Sequence, residues 1–288
     1  MESPTSSKVH VATKHQQRFM SHGFVHLKQA IPVPMCVSMR AAFAAHFQPV
    51  FPQPSAPSRA VTGATPLPLH ALAGAFRPVP STHASVLDFG ADPHFAAFDA
   101  ALQTALDAVF SEGAWCPAPT IGRLIMPAFP MNTESWDVPR DAWHADEPTF
   151  LDRDTPMGIL AFVFLDDVRP KGGATVVLSG SPRLLQKVVQ RAVQEDKPHV
   201  LQCHEALEVL RNETPSFAAL LNGTGSPEER EQRFMNTSFS CMGMPIRVEE
   251  LTGAMGDIVL MDPRALHTIS PNCSDRARLV AKLCAQRG

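Results

Sequence analysis

The segment Gly256-Asp257-Ile258-Val259-Leu260-Met261 has the pattern of a buried β-strand that begins after a tight turn. Four consecutive apolar residues follow a glycine and an aspartate, and short apolar runs bounded by turn residues are typical of core strands. His267 comes shortly after the strand, and a polar turn then leads to Arg278, which starts another apolar run. We therefore expect a histidine at the end of one strand and an arginine at the start of the next to project toward the same cavity.

A histidine and a carboxylate stand two residues apart in a second motif, Trp143-His144-Ala145-Asp146. In a strand, side chains two residues apart share a face, so His144 and Asp146 can reach the same metal ion. Together with His267 they supply two imidazoles and one carboxylate, the donor set of the facial triad in non-haem Fe(II) oxygenases. An H-x-D tripeptide is common by itself, and it is the combination with the distant histidine and arginine that predicts a metal centre.

Short strands separated by glycine and proline turns dominate the chain after Cys116. The strand candidates are residues 120–128, 157–165, 175–178, 246–251, 257–261 and 278–283. Because no helices alternate with these strands, they indicate an antiparallel sandwich or jelly roll. Helical patterns over residues 14–21, 34–47 and 94–110 come earlier, with a proline-rich loop at 49–80. The sequence thus predicts a mainly β fold with flanking helices.

Helical patterns also interrupt the predicted sheet, between the third and fourth strand candidates. They cover residues 184–195, 205–212 and 227–234. Because the sequence contains no internal repeat and no linker, we expect residues 1–288 to form a single domain, with residues 183–245 as a largely helical insertion. The sequence does not decide whether the insertion is a lid or a dimer surface. The oligomeric state therefore stays open, with a homodimer as one alternative.

Composition excludes several classes of function. The 288 residues are 44% hydrophobic and 18% charged, as in a soluble globular protein with a sizeable core. A net charge of -3 offers no basic surface for nucleic acid, and no apolar run is long enough to span a membrane. The polar N-terminus lacks a signal peptide, and the six cysteines are scattered without a C-x-x-C pair. We expect a cytoplasmic protein with reduced thiols that acts on a small molecule.

Taken together, these motifs resemble the phytanoyl-CoA dioxygenase family. The resemblance rests on H-x-D, on the G-D-x-x-L strand and on the arrangement H-x(3)-P-N-x-S-x-R-x-R that begins at His267. It also includes Gly172-Gly173-Ala174-Thr175 and Ser179-Gly180-Ser181, and it covers residues 13–284 in order of elements. The family consists of Fe(II)- and 2-oxoglutarate-dependent oxygenases. The resemblance therefore implies a double-stranded β-helix, the cupin-type jelly roll, as the core.

The resemblance also implies roles for individual residues. His144, Asp146 and His267 would be the iron ligands, with an open position for dioxygen. Arg278 would bind the distal carboxylate of 2-oxoglutarate, because a guanidinium group matches two carboxylate oxygens. Arg276 shares strand parity with Arg278 and is the alternative for that role. Because Asp146 is present, the vacant ligand position of the related halogenases is absent, which favours hydroxylation.

Further contacts to 2-oxoglutarate are less sharply implied. Thr175, after the double glycine, is a candidate hydrogen-bond donor, although an ordinary strand threonine explains it equally well. Ile269 stands where the family often has a small polar residue, so that hydrogen bond is expected from Thr268 or Arg123 instead. Pro182 stands where the family usually has a histidine, which removes a polar group but no metal ligand.

The substrate pocket is the least determined part of the site. Trp136, Phe150 and Met157 are candidates for its wall, whereas Trp143 is expected in the core. These apolar and aromatic residues favour a small organic molecule or secondary metabolite as the substrate. Two rival interpretations remain: a Zn²⁺ enzyme that uses the same three ligands with a bound water, and a non-catalytic jelly-roll protein. A zinc hydrolase would need no co-substrate arginine.

Overall fold

Antiparallel sheets form the centre of the computed structural model, which describes residues 13–47, 87–88, 93–118, 123–128, 130, 135–147, 149–151, 155–195, 200–235 and 237–288. Its helices are α1 (Lys14–His22), α2 (Val33–Phe47), α3 (Pro93–Val109), α4 (Ser181–Gln194), α5 (Cys203–Glu213), α6 (Pro215–Asn222) and α7 (Pro227–Phe234). Its strands are β1 (Phe24–Leu27), β2 (Leu87–Asp88), β3 (Trp115–Pro117), β4 (Leu124–Ala128), β5 (Thr149–Leu151), β6 (Ile159–Phe164), β7 (Thr175–Ser179), β8 (Val200–Gln202), β9 (Phe239–Cys241), β10 (Met244–Glu250), β11 (Ile258–Met261), β12 (His267–Ile269) and β13 (Arg278–Arg287).

The larger sheet has the order β1-β11-β6-β13-β4-β2, and β3 pairs with the far end of β13. Strands β6 and β11 are apolar on both faces, because each face of the sheet is covered there. On β11, Ile258 and Leu260 pack with helices α1–α3, whereas Val259 and Met261 face the second sheet. This alternation follows from the two-residue period of a strand, and it explains the unbroken apolar run in the sequence.

The smaller sheet has the order β12-β7-β10-β9. On β7, Val176 and Leu178 pack against the helices of the predicted insertion, while Val177 packs with the larger sheet. The segment 183–245 contains most of α4 and all of α5–α7, and α6 has no counterpart among the predicted helices. These helices cover the outer face of the smaller sheet.

Asp257 ties the start of β11 to the segment after β1. Its carboxylate accepts hydrogen bonds from the backbone N–H groups of Gln29 and Ala254, at 2.8 and 3.1 Å, and His26 Nε2 lies 2.8 Å away. The aspartate of the G-D-x-x-L motif is therefore structural. It fixes the turn from which the strand leading to His267 begins.

Two facing antiparallel sheets with flanking helices confirm the predicted jelly-roll architecture. The predicted strands at 157–165 and 278–283 correspond to β6 and β13, and β13 is longer than predicted. The proline-rich loop at 49–80 lies outside the described residues. Among the described helices, none has the length and apolar character needed to cross a membrane.

Candidate metal centre

Three side chains from two segments of the chain converge between the two sheets. The nearest ligand atoms of His144, Asp146 and His267 all lie within 4.8 Å of one another. The backbones of the two histidines form an isolated antiparallel bridge, with N···O distances of 3.0 and 2.9 Å. The predicted triad is thus assembled on a pair of hydrogen-bonded backbone segments, which sets the spacing of the two imidazoles.

Both imidazoles are oriented by the same type of contact. His144 Nδ1 lies 2.8 Å from the carbonyl oxygen of Ala142, and His267 Nδ1 lies 2.9 Å from that of Ala265. A carbonyl accepts a hydrogen bond, so each Nδ1 carries the proton and each Nε2 is left with its lone pair. A ligating histidine commonly donates its other ring N–H in this way, which fixes the tautomer and the ring plane.

The electrostatics of the triad suit a cation. Burial lowers the pKa of His267 to about 4, in spite of the nearby Asp146 carboxylate, so its imidazole is neutral at physiological pH. Burial acts to raise the pKa of Asp146, but His267, Lys282 and His144 outweigh burial and hold that pKa below its ordinary value. A neutral imidazole and an ionised carboxylate are the protonation states that metal binding requires.

A cavity of about 470 Å³ opens beside the triad. It is within the size range of small-molecule sites. Its lining includes the three triad residues together with Leu124, Met126, Ala142, Trp143, Phe162, Thr175, Thr268, Ile269, Arg278 and Lys282. The surface of this wall is mostly apolar, and its polar groups come from the triad, Thr175, Thr268, Arg278 and Lys282.

Arg278 lies in the wall of this cavity and is 2% exposed. Its Nε donates to the carbonyl oxygen of Gly173 at 2.7 Å and its Nη1 donates to that of Met126 at 3.2 Å. Nη2 is buried and has no acceptor among the described residues. Burial lowers the pKa of Arg278 to about 10, which still leaves the guanidinium charged at pH 7. A buried cation with an unpaired N–H fits a carboxylate ligand.

The other residues considered for the co-substrate divide into two groups. Thr175 shares the inward face of β7 with Val177, and it lines the cavity together with Thr268. Arg276, the alternative to Arg278, is exposed and is not part of the cavity wall. The geometry therefore favours Arg278 over Arg276 and keeps Thr175 as a candidate.

The predicted role of Arg123 in binding 2-oxoglutarate is wrong. Its strand does border the cavity, but Leu124 and Met126 are the residues that face it. Arg123 lies on the opposite face, where Nη2 donates to both carboxylate oxygens of Asp99 on α3 at 2.9 and 2.8 Å and Nε donates to Ala118 at 3.4 Å. A shift of one residue along a strand reverses the face. Arg123 therefore anchors a helix and does not reach the co-substrate position.

The predicted substrate residues also need revision. Trp136 is buried in the cluster beneath the insertion helices, away from the cavity wall, and Met157 is 65% exposed and does not line the cavity either. Phe150 belongs to β5, but its side chain lies outside the described part of the structure. Trp143, expected in the core, packs in that same cluster and also lines the cavity.

Lys282 is the charged cavity residue that sequence reasoning missed. Its ammonium group donates a hydrogen bond to Asp146 Oδ2, the same oxygen that lies 3.8 Å from His267 Nε2. The signal was present in the sequence, because Arg278, Val280 and Lys282 share one face of β13. Phe162 was missed as well, and it lies edge-on to His267 with ring centroids 6.3 Å apart.

The helical insertion holds the H-x-D segment on both sides. After the motif, β5 pairs with β8, which precedes α5. Before the motif, the buried Arg230 of α7 binds the Asp137 carboxylate and the carbonyl oxygen of Val138, each at 3.0 Å. The same guanidinium also binds the carbonyl oxygens of Ala219 and Leu220 at 3.0 Å. The insertion is therefore part of the scaffold of the metal centre.

Comparison with known proteins agrees with this geometry. The model of the family "Phytanoyl-CoA dioxygenase (PhyH)" matches residues 19–280. No curated protein matches the chain. Among solved structures, EvdMO1 aligns at 14% identity with a TM-score of 0.50, covering 95% of this chain. This chain spans only 49% of EvdMO1, and the likeness shows the fold alone.

Two further solved structures are similar at lower TM-scores. HygX from Streptomyces hygroscopicus, with nickel and 2-oxoglutarate bound, aligns at 14% identity with a TM-score of 0.48, covering 96% of this chain and 88% of HygX. The epimerase SnoN, in complex with Fe3+, alpha ketoglutarate and nogalamycin RO, aligns at 12% identity with a TM-score of 0.43, covering 95% of this chain and 82% of SnoN.

Proposed function

Because this chain belongs to the phytanoyl-CoA dioxygenase family of non-haem 2-oxoglutarate-dependent oxygenases, we propose that it is an Fe(II)- and 2-oxoglutarate-dependent dioxygenase that oxidises a C–H bond of a small organic molecule or secondary metabolite. Hydroxylation is the simplest outcome, with release of succinate and CO2. His144, Asp146 and His267 hold the iron. Arg278 holds the distal carboxylate of 2-oxoglutarate, and Thr175 is a candidate for a further hydrogen bond to it.

One observation carries this proposal. The Arg278 guanidinium is buried, charged and short of one hydrogen-bond acceptor, and it lies in the same cavity wall as the triad. Leaving a buried charged N–H without a partner costs on the order of 1–3 kcal/mol. A carboxylate ligand would remove that cost and also neutralise the charge. The arginine therefore points to a dicarboxylate that reaches from the metal to β13.

The chain's own residues prepare the site for this chemistry. Fe(II) held by His144, Asp146 and His267 would, together with 2-oxoglutarate and O2, supply the oxidising power. The carbonyl oxygens of Ala142 and Ala265 keep the Nδ1 proton on each imidazole, so that Nε2 stays available. Leu124, Met126 and Phe162 give the cavity an apolar wall, which limits water around the reacting C–H bond.

The two rival functions make different demands on the same residues. A zinc hydrolase could use the same donor set with a metal-bound water, but it has no use for Arg278. A non-catalytic jelly-roll protein has no need for either the oriented imidazoles or the arginine. Affinity for 2-oxoglutarate that depends on both the metal and Arg278 separates the oxygenase from both rivals.

The first experiment adds Fe(II) and 2-oxoglutarate to the protein under anaerobic conditions. The expected result is the weak visible metal-to-ligand charge-transfer band, followed by succinate when air is admitted. Replacing His144 or Asp146 with Ala should abolish the band, because iron is no longer held. A folded protein that gives neither the band nor succinate would refute the proposal.

The arginine variants provide the matched control. Arg278→Ala should raise the 2-oxoglutarate concentration required by about 100-fold, because losing one partner of a buried charge pair costs roughly 2–5 kcal/mol. Arg278→Lys keeps the charge but loses the two parallel N–H donors of the guanidinium group, and its 2-oxoglutarate requirement should be intermediate. Arg276→Ala should leave the requirement unchanged. A larger effect at Arg276 than at Arg278 would reverse the assignment.

A further inference from the structure

We infer that Lys282 binds a carboxylate group of the substrate, so that the substrate of this enzyme is an organic acid. The inference rests on the proposed function, since it takes the metal and 2-oxoglutarate as bound. Lys282 lies on β13, on the same inward face as Arg278, and its side chain lines the cavity. It is the second cation of the cavity wall and has no part in the proposed binding of 2-oxoglutarate.

The two cations serve different ends of the cavity. Four residues along a strand correspond to roughly 13 Å, so the backbone positions of Arg278 and Lys282 are far apart. The Arg278 guanidinium is bound to the carbonyl oxygens of Gly173 and Met126, whereas the Lys282 ammonium is bound to Asp146. A dicarboxylate that runs from the metal to Arg278 therefore leads away from Lys282. The Lys282 ammonium lies instead at the triad, beside Asp146, where a substrate has to approach the metal.

Lys282 pairs with Asp146 in this structure, and a bound metal would compete with it for that carboxylate. With the metal bound, the charges of the divalent ion and Arg278 are balanced by Asp146 and the two carboxylates of 2-oxoglutarate. Asp146 is the only carboxylate in the described wall of the cavity, and the metal takes it as a ligand. Lys282 then adds one uncompensated positive charge to a mostly apolar cavity. An unpaired buried charge is unfavourable, and a monoanionic carboxylate would pair with it.

A purely structural role for Lys282 predicts a different outcome for metal binding. If Lys282 only positioned Asp146, its loss would weaken the metal centre. If Lys282 instead binds an anionic substrate, its removal eliminates a positive charge close to the metal and so reduces electrostatic repulsion. Lys282→Met should then bind Ni(II) as tightly as the wild type or more tightly. Titration with Ni(II) measures this without any turnover.

The decisive experiment compares acids with their neutral amides. Wild-type protein loaded with Ni(II) and 2-oxoglutarate is mixed with matched pairs such as 3-phenylpropionate and 3-phenylpropionamide, or cyclohexanecarboxylate and its carboxamide. Ligand-observed NMR gives the affinity of each compound. The wild type should prefer the acids by about tenfold, the value of one charge-assisted hydrogen bond. Lys282→Met should lose the preference, and Lys282→Arg should keep most of it.

The control variant is Lys187→Met, which removes an exposed lysine on α4, outside the cavity, and should preserve the acid preference. Three results would overturn the inference: no acid preference in the wild type, the same preference in Lys282→Met, or weaker Ni(II) binding in Lys282→Met. Binding of 2-oxoglutarate is measured separately. If 2-oxoglutarate does not bind, the proposed function fails, while the acid and amide pairs still test Lys282 in the protein loaded with Ni(II) alone.

Discussion

Arg278 donates through Nε to the carbonyl oxygen of Gly173 at 2.7 Å, so the turn before β7 orients the arginine of the cavity. Gly173 has φ 75°, in the left-handed region that favours glycine. A Cβ at this position would lie 2.8 Å from Asn272 Cβ and 2.9 Å from Ala128 Cβ. No side chain fits there without moving the carbonyl that holds Arg278. The second glycine of the Gly172-Gly173 pair thus fixes the position of Arg278, the proposed 2-oxoglutarate ligand.

Gly173→Ala should therefore weaken 2-oxoglutarate binding while leaving metal affinity nearly unchanged. The strained backbone and the close contacts should also lower the free energy of unfolding by about 1–3 kcal/mol. Calorimetry on nickel-loaded protein and urea denaturation measure the two effects. Gly113→Ala is the control, because Gly113 has φ 70° but no atom within 4 Å of a new Cβ. Equal losses of 2-oxoglutarate affinity in both variants would contradict the linkage.

Arg123→Ala should reduce stability without affecting 2-oxoglutarate binding. The variant loses two hydrogen bonds to the Asp99 carboxylate, and bonds of this kind contribute about 1.5–3 kcal/mol where buried and less where exposed. Asp99→Ala should produce a similar loss, and the double variant should be little worse than either single one. A higher 2-oxoglutarate requirement in Arg123→Ala would mean that Arg123 does contribute to 2-oxoglutarate binding.

Arg230→Met should destabilise the protein and also weaken metal binding. The guanidinium is 1% exposed and holds Asp137 together with three carbonyl oxygens. Its removal should lower the unfolding free energy by about 3–5 kcal/mol, because the Asp137 carboxylate and the three carbonyl oxygens lose their hydrogen-bond donor. The segment that leads to His144 loses its anchor at the same time. Nickel titration at low temperature, where the variant is folded, should therefore show reduced affinity.

Arg233→Met provides the comparison for Arg230, because Arg233 lies on the same helix and is exposed. It should leave both stability and metal affinity close to wild-type values. If Arg230→Met loses stability but binds nickel normally, the insertion supports the fold without contributing to the metal centre.

Glu250 should make stability depend on pH. Burial raises the pKa of Glu250, against the opposing effect of its hydrogen bonds from the Lys171 backbone N–H and the Ser270 hydroxyl. Between the ordinary glutamate pKa and this raised value, the folded protein holds a proton that the unfolded chain has released. The free energy of unfolding should therefore fall as pH rises through that interval.

Glu250→Gln should lack this contribution, so the variant should gain stability relative to the wild type as the pH rises from 4 to 7. Urea denaturation at a series of pH values measures the difference between the two proteins. Glu249→Gln, on the same strand, controls for a general loss of negative charge. A stability difference that shrinks with rising pH would mean that the sign of the Glu250 shift is wrong.

The parts of the site that the sequence predicts well are those marked by chemistry and periodicity together. The two-residue period of a strand orients Arg278 on β13, whereas His144 lies in an isolated bridge and Asp146 lies outside the described strands. The same period would have identified Lys282, since it shares parity with Arg278. Lys282 stands inside an otherwise apolar run, four residues after Arg278, where the pattern alone predicts a core strand.

The predictions for Arg123 and Trp136 are wrong because long-range packing determines which way each side chain points. Which face of β4 meets the cavity depends on its register with β13, and a one-residue difference sends Arg123 toward α3. Trp136 is aromatic and close in sequence to the H-x-D motif, but it packs in the cluster of the insertion helices, which come much later in the chain. Local sequence does not contain that information, because burial of Trp136 depends on where the insertion folds back.

The backbone bridge between His144 and His267 also constrains the order of assembly. The two residues are widely separated in the chain, so the entropy of closing that loop is paid before the bridge can form, and contacts of this kind generally form late in folding. During synthesis, a chain that ends before β12 has the H-x-D pair but lacks the second imidazole and the carbonyls that hold the first segment in place. The complete set of three candidate ligands is therefore assembled only after β12 has joined the fold.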